Sequence, residues 1–557
     1  MNVRRTDSRL KRKRSGIEKE HARGESASQK RLLTFLSDRR SYPHRPRTVR
    51  FVQTHASYVF LASPYVYKVK KPVNLGFLDF STLKKRRHFC EREVLLNRRL
   101  SSHVHLGVLP IFLKSGKLAF KNGGRVVEYA VQMRKLDNRY FLPRLLKRNH
   151  VGSPELNRIV SALKKFYQEQ EPTDAITGWG RIEKLKVSTN ENFRQTEEFV
   201  GHTISCPAFE AIRRYTTKFY QCNASLFQER MSEGRIRDCH GDLRLEHIHL
   251  SPTHLSIYDC IEFNDRLRRI DWASDIGFLA MDFDHQGRPD LSCAFTSRMA
   301  AALGDEGLLR IVDFYKCYRA YVRGKVESLQ GLGVRQGRRK QQNWTNAKKY
   351  FQLALQYAVG GSRPTVLIVM GRIASGKSTL AKSLGRELEW NVFSSDLLRK
   401  RLAGVPRHKR VVKAMRRRLY AEDMTNKTYE ALLQEAVEET RNQRSVILDA
   451  TFGRQRHRDR LRRKLEAIGV MFRFVEARAT DDAVRRRLQQ RNGQAGEISD
   501  ARIEDFEVLS GSYEPPSELS PRELVSVNTW KVSSEVTTID VLKALATRSA
   551  MRSTSDR

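Results

Sequence analysis

The chain has 557 residues, more than one ordinary domain usually holds, so two or three domains are expected. Hydrophobic residues make up 39% of it, enough for buried cores, yet no long apolar run occurs that would predict a membrane-spanning helix. Lys and Arg number 104 against 62 Asp and Glu, and a formal charge of +42 favours phosphate-bearing partners, from nucleotides to RNA. Because the basic residues run through the whole chain, an Arg-rich composition spread over solvated surfaces is the alternative explanation.

The termini and the cysteines indicate the compartment. The basic N-terminus has no apolar segment of the kind found in secretory signals. The 7 cysteines form no CxxC pair, which argues against a disulfide scaffold and a zinc ribbon. We therefore expect a reduced, cytoplasmic protein with no membrane partner.

The first half of the chain mixes strands and helices. Residues 1–40 are basic and poor in aromatics, which predicts a disordered arm. After them, short apolar runs predict strands, and a longer periodic segment predicts a helix. The predicted strands are 49–52, 58–61, 65–69 and 126–133, and the predicted helix is 82–100.

The second half alternates strands with helices. Residues 328–346 are polar and contain glycine, so they are the best candidate for a linker. From about residue 364 the apolar runs VLIVM, NVF, SVILD, VMFRFVE and LVSVN are separated by helical stretches. That alternation predicts an α/β domain with a parallel sheet covered on both faces.

A phosphate-binding loop follows the first of these strands. The segment Gly371-Arg-Ile-Ala-Ser-Gly376-Lys377-Ser378-Thr379 matches GxxxxGK[ST] completely, with a strand before it and a helix after it. Its glycines let successive backbone N–H groups point at phosphates, and the helix N-terminus adds partial positive charge. Lys377 is expected at the β- and γ-phosphates and Ser378 on Mg²⁺. The predicted nucleotide-binding residues are Gly371, Ala374, Ser375, Gly376, Lys377, Ser378 and Thr379, and the predicted ligands are ATP or GTP with Mg²⁺.

Two polar residues follow the second strand of this domain. Asp396 ends the run NVFSSD at the carboxyl edge of the sheet, where ligands bind in such folds. It could accept a proton from an acceptor hydroxyl, and Arg399, one turn later, could hold an anionic group of that acceptor. The structural alternative is that Asp396 only caps the helix that follows.

The third strand and a late helix supply further candidates. Asp449 ends SVILD at a position suited to Mg²⁺, and the segment 485–491 has several arginines. Arg487 and Arg491 could close over the phosphates as a lid and stabilise negative charge in the transition state. An ordinary solvated helix face would also have this composition.

In this order, GxxxxGKST, SSDxxR, VILDATF and an Arg-rich helix resemble the P-loop kinases related to polynucleotide kinase and zeta toxin. The resemblance covers about residues 364–535. It implies that Asp396 activates an acceptor hydroxyl.

The first half contains a second set of charged motifs. His240-Gly241-Asp242 resembles the catalytic loops of kinase-like folds, in which the aspartate orients the acceptor hydroxyl. Asp259 and Glu262 follow a short strand and could bind metal. Lys68 lies on a predicted strand, and Glu93 on the next helix could pair with it to grip phosphates. A buried His–Asp pair that only braces a loop is the alternative.

The longer segments YVYKVKKPVNLGFLDFSTL, HFCEREVLLNRRL, HGDL and DCIEFNDRLRRIDWASDIGFLAMD resemble the aminoglycoside-phosphotransferase-like kinases. The whole arrangement over residues 45–535 resembles the bacterial bifunctional proteins that fuse such a domain to a P-loop kinase. It implies a protein-kinase-like α+β domain at 41–327, a linker with a helix at 328–362, a P-loop domain at 363–540 and a tail at 541–557. It also implies Asp242 as the catalytic aspartate, although His247 stands where the family has a metal-binding Asn.

Three functions are compatible with these patterns. The leading one is a kinase that phosphorylates a hydroxyl of a small molecule or a nucleic-acid end, with the first domain also active or regulatory. The second is a nucleic-acid-associated, NTP-binding regulator with little turnover, in which the basic surface gives non-specific adhesion. The third is a growth-arresting toxin of the zeta type, which the long N-terminal fusion disfavours.

Overall fold

The computed structural model describes residues 27–121, 123–333, 337–406, 411, 413–491 and 502–551. In chain order, its strands are β1 (Arg50–Gln53), β2 (Ser57–Ala62), β3 (Tyr65–Lys70), β4 (His105–Lys114), β5 (Lys117–Ala119), β6 (Arg125–Arg134), β7 (Ile236–Asp238), β8 (Ile248–Leu250), β9 (Leu255–Ile257), β10 (Arg269–Asp271), β11 (Thr365–Met370), β12 (Asn391–Ser394), β13 (Val446–Asp449), β14 (Met471–Arg478) and β15 (Leu524–Asn528).

The helices, in the same order, are α1 (Ala27–Ser37), α2 (Leu83–Ser101), α3 (Leu142–Lys147), α4 (Ser153–Gln168), α5 (Asp174–Thr177), α6 (Ile182–Thr196), α7 (Cys206–Cys222), α8 (Ala224–Ser232), α9 (Asp265–Arg268), α10 (Trp272–His285), α11 (Pro289–Leu303), α12 (Gly307–Leu332), α13 (Arg338–Val359), α14 (Lys377–Leu388), α15 (Ser395–Leu402), α16 (Lys413–Leu419), α17 (Glu422–Arg441), α18 (Gln455–Ala467), α19 (Asp481–Arg491), α20 (Phe506–Gly511) and α21 (Ser534–Met551).

The chain divides into two compact units. The first unit is Met1–Val151 with His240–Arg268, and the second is Gly152–Cys239 with Arg269–Arg557. Helices α4–α8 and α10–α12 therefore group with the P-loop part, although the sequence resemblance implied a first domain that extends to residue 327.

The first unit is built on an antiparallel sheet of order β1-β2-β3-β6-β4-β5. Side chains alternate between the faces of a strand, and β3 shows the consequence. Tyr67 and Val69 join a buried cluster with α1 on one face, while Lys68 and Lys70 point to the other face. On that other face, Cys90 and Val94 of α2 pack against Val131 of β6.

The prediction of a disordered arm over residues 1–40 is wrong for its last part. Helix α1 buries Leu32 and Leu36, which are 8% and 0% exposed, in the same cluster as Tyr42 and Tyr67. The short run RLLTFLS has enough apolar residues for one helical face, and its contacts offset the entropy of ordering it. Residues 1–26 lie outside the described residues.

The second unit contains the predicted parallel sheet, in the order β12-β13-β11-β14-β15. Every pairing between neighbouring strands is parallel. Strand β11 is buried along its whole length, as a central strand covered on both faces must be. Side chains of β11, β13 and β14 form a core with α17 and α18. The carboxyl ends of all five strands consequently meet at one edge.

The segment predicted as a linker is instead two long helices. Helices α12 and α13 include most of residues 328–346, and Ser328 is fully buried. A Cβ on Gly331 would lie 2.3 Å from the Trp344 ring, so this glycine allows close helix packing. Gly331, one of the glycines that suggested a linker, is therefore a contact position between two helices.

The predicted tail at 541–557 is also structured over most of its length. Helix α21 buries Val541, Leu542 and Leu545. Its C-terminal end is held by Asn223, whose Nδ2 donates to the Ala550 carbonyl at 2.8 Å. Residues 552–557 lie outside the described residues.

Over the ranges that the structure describes, none of the helices combines the length and apolarity needed to cross a bilayer.

Candidate functional site

The phosphate-binding loop connects β11 to α14 in a conformation that requires its glycines. Gly371 has φ 148° and Gly376 has φ 93°, and Ala374 between them has φ 50°. A Cβ on Gly371 would lie 2.5 Å from the Ala477 carbonyl oxygen. Left-handed backbone and this close approach exclude larger residues there. Helix α14 then begins at Lys377, so its free N–H groups face the loop.

Asp449 meets this loop from the end of β13. Its side chain is 3% exposed. Burial raises the pKa of Asp449, while the charge of Lys377 and a hydrogen bond donated by Ser378 lower it and Asp396 raises it further. Its Oδ1 is buried with no hydrogen-bond partner among the described residues. A hydroxyl and an orphaned carboxylate oxygen beside a phosphate loop are a donor set that fits Mg²⁺.

Asp396 lies beside Asp449 because β12 pairs with β13. Ser394 is opposite Asp449 in the parallel register, and α15 begins at Ser395. The N-cap of α15 is Ser394, so the alternative that Asp396 only caps the helix that follows is wrong. The half-buried Asp396 carboxylate instead sits in the first helical turn, with the Tyr420 hydroxyl 3.5 Å from its Oδ1. The Asp396 carboxylate is therefore not the N-cap of this helix, and it lies close enough to Asp449 to raise the pKa of that residue.

Arg399 is buried rather than open to solvent. Its Nη1 donates to the Leu419 carbonyl at 3.2 Å, and its guanidinium lies 4.3 Å from the centroid of the Tyr420 ring. Its Nε is buried with no partner among the described residues. Tyr420 thus touches both Asp396 and Arg399. No sequence pattern pointed to this tyrosine, which directly follows α16, the helix after the one that contains Asp396 and Arg399.

Arg487 of α19 binds the loop itself. Its Nη1 donates to the Ala374 carbonyl at 3.2 Å, and its Nη2 donates to the Thr529 carbonyl at 2.6 Å. The Thr529 hydroxyl in turn donates to the Ser375 carbonyl. Sequence reasoning missed Thr529, although its position directly after the fifth strand was a usable signal. The side chain of Arg491, the second predicted lid residue, lies outside the described residues.

The first unit brings its predicted charged residues together in one cluster. Lys68 Nζ is 2.9 Å from carboxylate oxygens of both Glu93 and Asp259. Lys70 Nζ is 2.6 Å from Glu93 and also pairs with Glu262. Burial works to raise the pKa of Glu93, but Lys68 and Lys70 outweigh it and lower it to about 2. Asp259 and Glu262, the two carboxylates of this unit that were predicted to bind metal, therefore each contact a lysine.

The HGD loop packs against this cluster. His240 is fully buried; its Nε2 donates to the Tyr258 carbonyl at 3.0 Å and its Nδ1 accepts from the Asp242 N–H at 3.3 Å. Burial lowers the pKa of His240 to about 3, so it braces the loop as a neutral ring. His247 Nδ1 donates to the Asp242 carbonyl at 2.8 Å, and its Nε2 lies 3.6 Å from Asp259. The imidazole of His247 thus lies between the Asp242 backbone and the Asp259 carboxylate.

Solved structures resemble parts of the chain at low identity. A gluconokinase from Sinorhizobium meliloti 1021 is 16% identical over 33% of this chain and 91% of its own, with a TM-score of 0.25. The APS kinase of Mycobacterium tuberculosis is 19% identical over 33% of this chain and 97% of its own, with a TM-score of 0.25. A choline kinase from Cryptosporidium parvum Iowa II is 9% identical over 58% of this chain and 94% of its own, with a TM-score of 0.34. Such low TM-scores support no residue assignment.

Family and sequence comparisons are more informative. A family model described as an AAA domain matches residues 366–516, which contain the loop, Asp396 and Asp449. The uncharacterized protein Rv2004c of Mycobacterium tuberculosis H37Rv is 31% identical over 454 residues, 81% of this chain and 87% of its own length. The uncharacterized protein Mb2027c of Mycobacterium bovis matches equally well. The chain belongs to the same family as these mycobacterial proteins and contains a P-loop domain.

Proposed function

We propose that the second unit is an ATP- or GTP-dependent kinase that transfers the γ-phosphate to a hydroxyl of a small molecule or of a nucleic-acid end. The observation that supports this most strongly is the group formed by Lys377, Ser378, Asp449 and Asp396. It combines a phosphate-binding loop, a buried carboxylate with an orphaned oxygen, and a second carboxylate that has no capping role. A binding protein without transfer needs the first two features but not the third.

The proposed reaction uses these residues in order. The loop N–H groups and Lys377 hold the triphosphate, with the γ-phosphate on the Asp396 side. Asp396 takes the proton of the acceptor hydroxyl while the hydroxyl oxygen forms a bond to the γ-phosphorus. The bond between the γ-phosphorus and the bridging oxygen breaks, and the nucleoside diphosphate leaves. Ser378 and Asp449 would hold Mg²⁺, which neutralises charge on the phosphates when bound.

Two arginines complete the proposal. Arg487 places positive charge at the loop through its contact with Ala374, where it can stabilise charge on the phosphates during transfer. Among the described residues, the buried Nε of Arg399 has no hydrogen-bond partner. Its guanidinium lies over the Tyr420 ring, and we assign it to an anionic group of the acceptor. An acceptor that already bears a phosphate or carboxylate would satisfy that group.

The first unit is proposed to be an aminoglycoside-phosphotransferase-like domain with Asp242 in the position of the catalytic aspartate. Its lysine–glutamate pair supports nucleotide binding, because Lys68 and Glu93 have the arrangement that grips phosphates in such folds. Its carboxylates are engaged by lysines and His247 replaces an amide ligand, which favours a binding or regulatory role for this unit. We therefore propose that transfer takes place in the second unit.

A nucleic-acid-associated regulator remains the second candidate, because the formal charge is +42. The salt dependence of polynucleotide affinity separates the two. Many phosphate contacts would make log affinity fall steeply with log salt, by about 0.7 per contact for single strands. A shallow slope would favour the kinase acting on a small molecule.

The decisive experiment is a phosphorylation screen of the full chain with labelled ATP against metabolites, nucleosides and 5′-hydroxyl oligonucleotides. Three variants assign any activity to a unit: Lys377→Ala and Asp396→Asn for the second unit, and Asp242→Asn for the first. We expect the first two to abolish transfer and the third to retain it. Transfer that depends on Asp242 and not on Asp396 would place the reaction in the first unit instead.

A further inference from the structure

A large aromatic side chain is exposed directly after the last strand of the parallel sheet. Trp530 is 39% exposed, and Val532 and Val536, which follow it, are 44% and 42% exposed. Scattered exposed apolar residues are common and need no explanation. Trp530 differs from them in its position, because it follows Thr529, which contacts the phosphate-binding loop.

The residue before Trp530 is part of the wall of the loop. Thr529 donates from its hydroxyl to the Ser375 carbonyl and accepts at its own carbonyl from Arg487. A Cβ on Gly376 would lie 3.1 Å from the Thr529 hydroxyl oxygen and 3.2 Å from Arg487 Nη1. The backbone N–H of Thr529 is also fixed, since it donates to the Arg478 carbonyl at 2.9 Å. Trp530 is therefore the first residue beyond an anchored point next to the loop.

The sheet order determines which end of a nucleotide reaches this place. Strands β12 and β13, with Asp396 and Asp449, lie on one side of β11, and β14 and β15 lie on the other. If the γ-phosphate faces Asp396, the ribose and base must leave the loop on the side of β14 and β15. Trp530 follows the carboxyl end of β15, which is the outer strand on that side.

One face of the Trp530 ring is covered by a cation. The ammonium of Lys531 lies 4.9 Å from the centroid of the Trp530 ring, over one face. A ring backed by a cation on one face can hold a planar base on the other, and stacking on aromatic side chains accepts any base because every base has a π-face.

We propose that Trp530 is the platform on which the base of the nucleotide donor stacks, so that the donor is recognised by the face of its purine ring rather than by its hydrogen-bonding edge. This rests on the proposed function for the direction of the nucleotide and goes beyond it by naming the base site. It follows that the unit accepts ATP and GTP with similar affinity.

The test compares two ligands on the full chain, with Mg²⁺ present: ATP, which has a base, and inorganic tripolyphosphate, which has none. Dissociation constants are measured for the unmodified chain, Trp530→Ala, Trp530→Phe and a matched control, Trp179→Ala. Trp179 also has a lysine ammonium over its ring, at 4.4 Å, but it belongs to the helical part of the second unit.

We expect Trp530→Ala to weaken the affinity for ATP by roughly 5- to 150-fold and to leave the affinity for tripolyphosphate unchanged. Trp530→Phe should retain most of the ATP affinity, and Trp179→Ala should change neither ligand. ATP, but not tripolyphosphate, should also quench a tryptophan signal that Trp530→Phe lacks, which tests the proposal even if the alanine variant does not fold.

Unchanged ATP affinity in a folded Trp530→Ala, or a quench that survives in Trp530→Phe, would overturn the base platform. Equal weakening of ATP and tripolyphosphate would also overturn it, because a loss shared by both ligands lies in the phosphate site. Failure of the proposed function looks different: the unmodified chain would bind neither ligand, or Lys377→Ala would leave both affinities intact.

Discussion

Arg487 donates a hydrogen bond from Nη1 to the carbonyl oxygen of Ala374 at 3.2 Å, inside the phosphate-binding loop. The helix that was predicted to close over the phosphates is thus already attached to the loop through this side chain. The guanidinium also holds Thr529, so one residue joins α19, the loop and the end of β15.

Arg487→Ala should lower transfer by about 10²-fold or more, since preorganised donors in phosphate and oxyanion sites typically contribute that much. The same change removes the contacts that fix Ala374 and Thr529, so nucleotide affinity should fall as well. Arg486→Ala on the same helix, where the side chain is exposed, is the matched control and should leave turnover unchanged. Equal turnover in the two variants would show that Arg487 contacts the loop without contributing to transfer.

Lys377→Ala should lower transfer by roughly 10²-fold or more without lowering thermal stability in the absence of nucleotide. Lys377 contributes charge to the phosphates and no apolar contact to the core of the second unit. Arg386→Ala removes one positive charge from an exposed position of the same helix and should leave both quantities unchanged. A Lys377 variant that binds and turns over ATP normally would remove the basis for the nucleotide site.

The helix that replaced the predicted arm gives a stability prediction. Leu36→Ala should lower the free energy of unfolding by about 2–5 kcal/mol, because Leu36 is fully buried against the first-unit sheet. Leu95→Ala is the control: this leucine is 69% exposed on α2, so its loss should cost little. Denaturant unfolding of both variants checks this. Similar small effects would mean that α1 is not a stable part of the unit.

The sequence predicted those features of the structure that depend on local patterns of residues. Period-two and buried-strand patterns predicted the strands of the parallel sheet and β1, β2, β3 and β6 of the antiparallel sheet, but they missed β4 and β5. A motif of fixed spacing predicted the loop conformation at Gly371 and Gly376. Helix pairs that pack through glycine, as at Gly331, have no such pattern, so the composition of residues 328–346 predicted a linker instead. A side chain that comes from a distant segment without a motif, such as Tyr420, depends on the fold and could not be placed by spacing alone.

Glu93, in the lysine–glutamate cluster of the first unit, is expected to contribute an acid-dependent loss of stability. The pKa of Glu93 is lowered to about 2 in the folded chain from its usual 4.5. Below pH 4.5 the unfolded chain therefore binds a proton that the folded chain binds only near pH 2, which favours unfolding. Stability from this group is complete above pH 4.5 and is lost as the pH falls through that interval.

Glu93→Gln removes the titrating group, so the free energy of unfolding should fall less steeply over the same interval. Glu91→Gln, on the exposed face of the same helix, is the control and should retain the slope of the unmodified chain. Urea unfolding at several pH values gives the slopes. Identical slopes for all three proteins would contradict the contribution assigned to Glu93.

Asp396→Asn tests the proposed chemistry most directly. It should leave ATP affinity and thermal stability nearly unchanged and lower transfer to the acceptor by about 10²-fold or more, in the range of general-base contributions of 10²–10⁴. Asp396 follows β12, on the acceptor side of the loop, and its carboxylate is not the N-cap of α15. The amide has the same size as the carboxylate but cannot accept the hydroxyl proton.

The matched control is Asp423→Asn, which neutralises an exposed carboxylate in the first turn of another helix of the same unit. It should keep full turnover, so a selective loss in Asp396→Asn cannot be a general effect of removing negative charge near a helix N-terminus. ATP affinity, melting temperature and acceptor turnover are measured on both variants. A stable, ATP-binding Asp396→Asn without transfer is expected. If that variant transfers phosphate at the normal rate, the base is not Asp396, and the non-transferring regulator becomes the better description of the second unit.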